Sequence, residues 1–202
     1  FNQYGREFPL GGINEAGLVV EVMWHAPRSE PPAPDARGSV NELQWIQYQL
    51  DNYEKVSEVE AHKEDVRISK IYADVHYLVC DRDGECATFE NLGGKLEVRS
   101  GTQLKVATLT NSSYDNAVKN LASFKGFGGT TPIPTGSDSD SRFIRASALA
   151  QAFDPMGKID AVDAAFDLLN SVGPTSYSKF RKTDDRIDIT SKYGYQVAKK
   201  WY

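Results

Sequence analysis

Four residues stand where their type and placing could do chemistry. Asn111 closes an apolar run after Leu109-Thr110 and precedes a polar stretch with helical character. A side-chain amide at such a junction can donate to an oxyanion. It can equally cap the helix that follows, a position asparagine favours. Arg142 follows Ser141 at the start of another helical stretch. A cation opposes the helix macrodipole there, which points to a functional reason. The alternative is a surface arginine reaching back to Asp138 and Asp140. Trp24 and His25 end the run "GLVVEVMWH". A strand-end indole forms core or a pocket wall, and the imidazole beside it offers a general base.

The two cysteines, Cys80 and Cys86, flank "DRDGE" between two apolar runs. Either they pair, which places the chain in an oxidising compartment, periplasmic or secreted rather than cytoplasmic, or they are free thiols in neighbouring strands. No CxxC motif and no clustered metal-ligand spacing occurs. Of the three histidines, His62 lies in a charged helical stretch and is solvated.

The bulk properties narrow the class of protein. The 202 residues suit one domain, and 40% of them are hydrophobic, enough for a core. The formal net charge of -5 argues against a nucleic-acid partner, which calls for a basic face. No apolar run is long enough to span a bilayer, so no membrane role is expected. The opening Phe1-Asn2-Gln3-Tyr4 is not a signal peptide and resembles the middle of a domain, so a fragment is expected.

The elements that must position these residues follow from periodicity. Residues 17–24 are rich in β-branched types and predict a buried strand. Residues 25–38 carry a run of prolines and predict an irregular loop. "SVNELQWIQYQLDNY" (39–53) spaces Val40, Leu43, Ile46 and Leu50 as a helix capped by Ser39. Residues 55–65 predict a second helix with a Ser57/Glu60 capping box. Four strands then follow, 67–81, 85–92, 95–101 and 104–111, joined by turns at Asp83-Gly84, Gly93-Gly94 and Ser100-Gly101. Helices return at 112–124, 141–153 (capped by Ser141) and 159–172, the last with Val162, Ala165, Phe166 and Leu169 on one face. The tail 195–202 alternates like a strand without a visible partner. Helices segregated from antiparallel strands make this an α+β chain.

With the elements placed, four segments resemble the choloylglycine hydrolase family, the bile salt hydrolases and penicillin V acylases of the N-terminal nucleophile superfamily. "GGINEAGLVVEV" is similar to its Asp-Gly-Met-Asn-Glu-x-Gly-Leu segment. "DVHYLVCDRDGE" resembles its His-Trp-x-x-x-Asp-x-x-Gly hairpin, and "VATLTNSSYDNAVKNL" its Leu-Thr-Asn-x-Pro-x-Phe-Asp segment. "DSRFIRASAL" resembles its Ser-Arg-Phe-x-Arg helix start. The four arrive in the family's order and cover roughly residues 8 to 173.

The resemblance implies a four-layer αββα sandwich, here incomplete at both ends, as a single domain over 1–202. It implies hydrolysis of linear amides by an N-terminal cysteine whose own α-amino group is the base, with no metal or organic cofactor. That cysteine is not in this chain, where residue 1 is Phe and neither Cys80 nor Cys86 matches it. The resemblance makes Asn111 the oxyanion donor and Arg142 a support for the nucleophile, with Arg145 structural. It gives Trp24 a backbone N–H for the oxyanion and an indole facing substrate. Leu10, Ile71 and Tyr72 fall on its substrate loops, and His76 is a satisfied buried group. Gly11 stands where the family carries Asp. An aromatic residue at Trp24 resembles the penicillin V acylase side, where a small-molecule N-acyl amide is the substrate. The alternatives are a bile salt hydrolase and a non-catalytic ligand-binding homologue. The resemblance also suggests a homotetramer.

Overall fold

The computed structural model describes residues 8–26, 28–154, 156–157 and 160–173, with the backbone of two short strand segments at 182–183 and 186–187. The expected strand at 195–202 lies outside the described residues. The chain divides into two compact units, Phe1–Leu121 and Ala122–Tyr202.

The first unit is built on a five-stranded antiparallel sheet. Its strands are β1 (Gly11–Ile13), β2 (Val19–Trp24), β5 (Val75–Cys80), β6 (Cys86–Leu92) and β7 (Lys95–Ser100), in spatial order β1-β2-β5-β6-β7. Between β2 and β5 the chain forms β3 (Gly38–Asn41), α1 (Gln44–Asn52), α2 (Val56–Ala61) and β4 (Val66–Ser69), and β3 pairs with β4 in parallel. One sheet face carries Val20, Val75, Tyr77, Val79, Ala87 and Phe89, which pack with Trp45, Ile46, Val56 and Val59 of the two helices. Trp45 lies 4.4 Å from the Tyr77 ring and 5.4 Å from Phe89. Burying an apolar side chain such as Phe89 stabilises by roughly 1.5–3 kcal/mol. Alternate residues therefore face the other way, and among them are His76 and Glu90.

Several sequence-based boundaries move, each for a local reason. Residues 38–41 are strand, not helix, so Ser39 caps nothing; β3 is held by its ladder to β4. Asn41 takes the capping role, its Oδ1 accepting from the backbone of Leu43 and Gln44. At α2 the Glu58 carboxylate accepts from the backbone of Glu54 and Lys55, which displaces the expected Ser57/Glu60 pair. The strand expected over 67–81 is two strands broken at residues 70–74. The strand expected over 104–111 is absent, and that stretch has no regular structure. The helix expected over 112–124 is α3 (Tyr114–Val118) followed by a 3₁₀ turn at Leu121–Ser123.

The turn before β2 shows why its residues are specified. Asn14 Oδ1 accepts from Leu18 N, and its Nδ2 donates to the carbonyls of Leu50 and Tyr53 at the end of α1. Gly17 has φ +93°, and a Cβ there would come 2.9 Å from Arg82 Cβ. The turn thus locks the start of β2 to α1 and aims its far end, Trp24. At the opposite end of the hairpin β5–β6, Cys80 and Cys86 face each other in the ladder and form a disulfide.

In the second unit, α4 (Ser139–Ala152) is capped by Asp138, whose side chain accepts from Ser141 N, so Ser141 is inside the helix rather than its cap. α5 (Ala161–Val172) is capped by Asp160. Of the residues expected on one apolar face of α5, Val162, Ala165 and Leu169 are exposed and Phe166 is half-buried. A two-residue hairpin, β8 (Lys182–Thr183) with β9 (Arg186–Ile187), follows.

Candidate active site

The end of β2 is anchored on two sides. The Trp24 carbonyl accepts from Asn111 Nδ2 at 2.8 Å, and the Ala26 N–H donates to the Asn111 carbonyl at 2.6 Å. Asn111 thus brackets His25 with two bonds. On the other side His25 N donates to the Asp74 carbonyl at 2.9 Å. Asp74 Oδ1 in turn accepts from Ser29 N and from Lys70 Nζ, and that lysine holds the carboxyl below its ordinary range. No helix begins at Asn111. It stands three residues before α3, and its side chain is turned to the strand end.

Fixed in this way, the Trp24 indole is 66% exposed and forms the rim of an apolar pocket of about 700 Å³. Leu10, Val22, Leu43, Tyr72 and Val75 line it, and Phe8 meets Tyr72 edge to face at 5.8 Å. Leu10, Trp24 and Tyr72 thus line one pocket. Ile71 is the exception: it is not among the residues that line the pocket, although its neighbour Tyr72 is. One lining residue, Glu21, carries a carboxyl whose pKa burial raises. Gly11 lies opposite Glu21 in the β1–β2 ladder, and a Cβ on Gly11 would run into that carboxylate. An acidic residue at position 11 would add like-charge repulsion to the clash.

Two buried carboxylates stand behind this surface, and sequence reasoning found neither. Glu42, just before α1, is 1% exposed; its Oε2 accepts from Ile71 N at 2.9 Å and its Oε1 from Tyr72 N and Ala73 N at 2.5 and 2.6 Å. Glu90 Oε1 on β6 lies 2.9 Å from His76 Nδ1, whose role as donor or acceptor follows the ring's tautomer, and accepts from Tyr114 N at 3.0 Å. His76 Nε2 donates to the Thr110 carbonyl at 2.5 Å. His76 is fully buried and satisfied, as the resemblance implies. No local pattern signals these contacts, since each joins residues 14 to 34 positions apart.

His25, buried beside them, stacks on His76 with centroids 4.5 Å apart. Burial first, and then the neighbouring His76, lowers its pKa. Its Nε2 lies 3.5 Å from Glu90 Oε1 without a hydrogen bond. The donor atoms of His25, His76 and Glu90 fall within 4.8 Å of one another, the set among the described residues able to approach a cation. Stacked rings direct their lone pairs in near-parallel planes rather than to one point. His76 and Glu90 are hydrogen-bonded to Thr110 and Tyr114, one on each side of Asn111 in the chain, and His25 stacks on His76.

In the second unit, Arg142 Nε donates to the Ser137 carbonyl at 3.1 Å. Arg145 donates to the carbonyls of Pro134, Gly136 and Ser171, tying the loop before α4 to the end of α5. That is the structural role expected of it.

The sequence pattern described as "Linear amide C-N hydrolases, choloylglycine hydrolase family" matches residues 7–194. A penicillin V acylase of Pectobacterium atrosepticum is 30% identical over 165 residues, covering 75% of this chain and 43% of that protein. The structure of penicillin V acylase from Agrobacterium tumefaciens superposes with a TM-score of 0.70 at 29% identity, over 82% of this chain and 52% of that one. A mutant of conjugated bile acid hydrolase from Clostridium perfringens shares the fold, with a TM-score of 0.69 at 23% identity over 82% of this chain and 59% of that one. The chain thus spans about half the length of the relatives it matches.

Proposed function

We propose that this chain, which belongs to the choloylglycine hydrolase family of linear amide C–N hydrolases, carries the acyl pocket and the oxyanion-side amide of an enzyme that hydrolyses N-acyl amides of the penicillin V type. The observation that carries the reading is the joint of Trp24 and Asn111. An exposed indole rims an apolar pocket, and a side-chain amide is bonded to that residue's own carbonyl. A flat aromatic or aliphatic acyl group fits such a wall. In this reading the Asn111 amide and the Trp24 backbone N–H serve the oxyanion, and Arg142 supports the nucleophile.

Both cysteines of these 202 residues are joined to each other, so the thiolate of the reaction comes from outside them. A cross-strand disulfide supports a periplasmic or secreted location. The disulfide also gives substance to the alternative of a ligand-binding homologue, since the pocket exists here without a free thiol.

Intact mass and N-terminal sequencing of the natural product, followed by penicillin V hydrolysis, tests the reading. A mature chain beginning with Cys and releasing the acyl group is the expected result. A mature chain with any other first residue and no hydrolysis leaves the pocket a binding site alone. In the active enzyme, Asn111→Ala is expected to lower kcat by about 10²–10³ with KM little changed.

A further inference from the structure

We infer that Glu42 is a positioning residue that sets acyl-group binding by holding the pocket wall at residues 71–73; this rests on the reading of the pocket as the acyl site. Three consecutive backbone N–H groups, those of Ile71, Tyr72 and Ala73, converge on one buried carboxylate. Two of those residues, Tyr72 and Ala73, line the pocket, and so does Leu43, the residue next to Glu42. The loop between β4 and β5 has no ladder of its own over residues 70–74. Its shape is therefore set from behind, by an anion that the solvent does not reach. Glu42 is itself placed from two sides, by its position at the start of α1 and by Tyr77 Oη, which donates to its carbonyl at 2.7 Å.

The chemistry of the anchor is specific. A carboxylate offers only acceptors. A glutamine at 42 offers one acceptor oxygen and one NH₂, so at least one loop N–H then faces another donor. The loop must shift or open, and Tyr72 moves with it. Glu42 touches no pocket space, so the effect reaches substrate only through the wall.

The test compares wild type, Glu42→Gln and Glu42→Asp in the full-length protein, with two readouts. The first is amide hydrogen exchange at residues 71–73. The second is binding of phenoxyacetate, followed by Trp24 fluorescence against a Trp24→Phe control, together with kcat and KM for penicillin V. In Glu42→Gln the three amides are expected to exchange at least tenfold faster, and phenoxyacetate binding and KM to weaken by roughly tenfold with kcat within about twofold. Glu42→Asp keeps an all-acceptor group and is expected to recover part of both losses; it carries the test if the glutamine variant does not fold. Unchanged exchange overturns the anchor. Faster exchange with unchanged phenoxyacetate binding overturns the role in acyl binding. Absence of penicillin V turnover in wild type defeats the amidase reading only, because exchange and phenoxyacetate binding still decide the inference.

Discussion

Glu42 and Glu90 are both buried carboxylates in the first unit, and they are satisfied by different kinds of donor. Glu42 faces three backbone N–H groups, which cannot change protonation or turn round. Glu90 faces one backbone N–H and a ring nitrogen of His76, which donates or accepts according to the tautomer of the ring. The first carboxylate holds the wall of the pocket. The second holds the segment from Thr110 to Tyr114 that carries Asn111. One anchor is chemically rigid and the other adaptable, although both are hidden from water.

The largest effect is expected from deleting the adaptable anchor. Glu90→Ala leaves the Tyr114 N–H and the His76 ring facing a cavity. The expected loss is about 3–5 kcal/mol in urea unfolding, the scale for removing one partner of a buried polar pair. Glu42→Gln comes next. One backbone N–H loses its acceptor and stays buried, for an expected loss of about 1–3 kcal/mol in the same assay.

A pH series sharpens the contrast. His25 is held neutral by burial and by His76, with Glu90 and Asp74 acting the other way. Its folded pKa is lowered, so the unfolded chain binds the extra proton below the ordinary imidazole value of about 6.5. Stability from this group is full above that value and falls as pH drops below it, by at most about 1.4 kcal/mol per pH unit. Urea melts from about pH 7.5 down to about pH 5 should show this slope, and His25→Gln should reduce it. A slope unchanged in that variant would assign it to other groups.

The smallest effect is expected from Glu90→Gln, under about 1 kcal/mol. The new amide oxygen can keep the Tyr114 N–H. Its NH₂ can donate to His76 Nδ1 once that ring carries its proton on Nε2, where the Thr110 carbonyl requires it. A loss as large as that of Glu42→Gln would show that Glu90 is as rigid an anchor as Glu42.

Much of the surface of the candidate site was legible in the sequence. Asn111 is marked by the end of an apolar run, and Trp24 by the end of a β-branched one. Leu10 and Tyr72 came from the family resemblance, and the pocket contains both. Ile71 stands beside Tyr72 on the same loop, yet only Tyr72 lines the pocket, a distinction that adjacency in sequence does not carry. The helical reading of residues 39–53 failed at its start for a related reason. The spacing of Val40 and Leu43 suits a helix, but pairing of residues 38–41 with β4 is a long-range contact that outweighs local periodicity.

What the sequence determined by itself is what short-range physics encodes. This includes the α+β pattern, the hairpin turns at Asp83-Gly84 and Gly93-Gly94, and the residues at the end of β2. The family followed, because motif order is a property of the chain. Only the tertiary structure decided which groups stand behind the site. Glu42 and Glu90 look like ordinary acidic residues in a chain with 28 of them. They become anchors because folding removes water from them and brings backbone N–H groups from distant segments into its place. A buried charge is tolerated only where such donors converge, and that convergence is a fact of three dimensions.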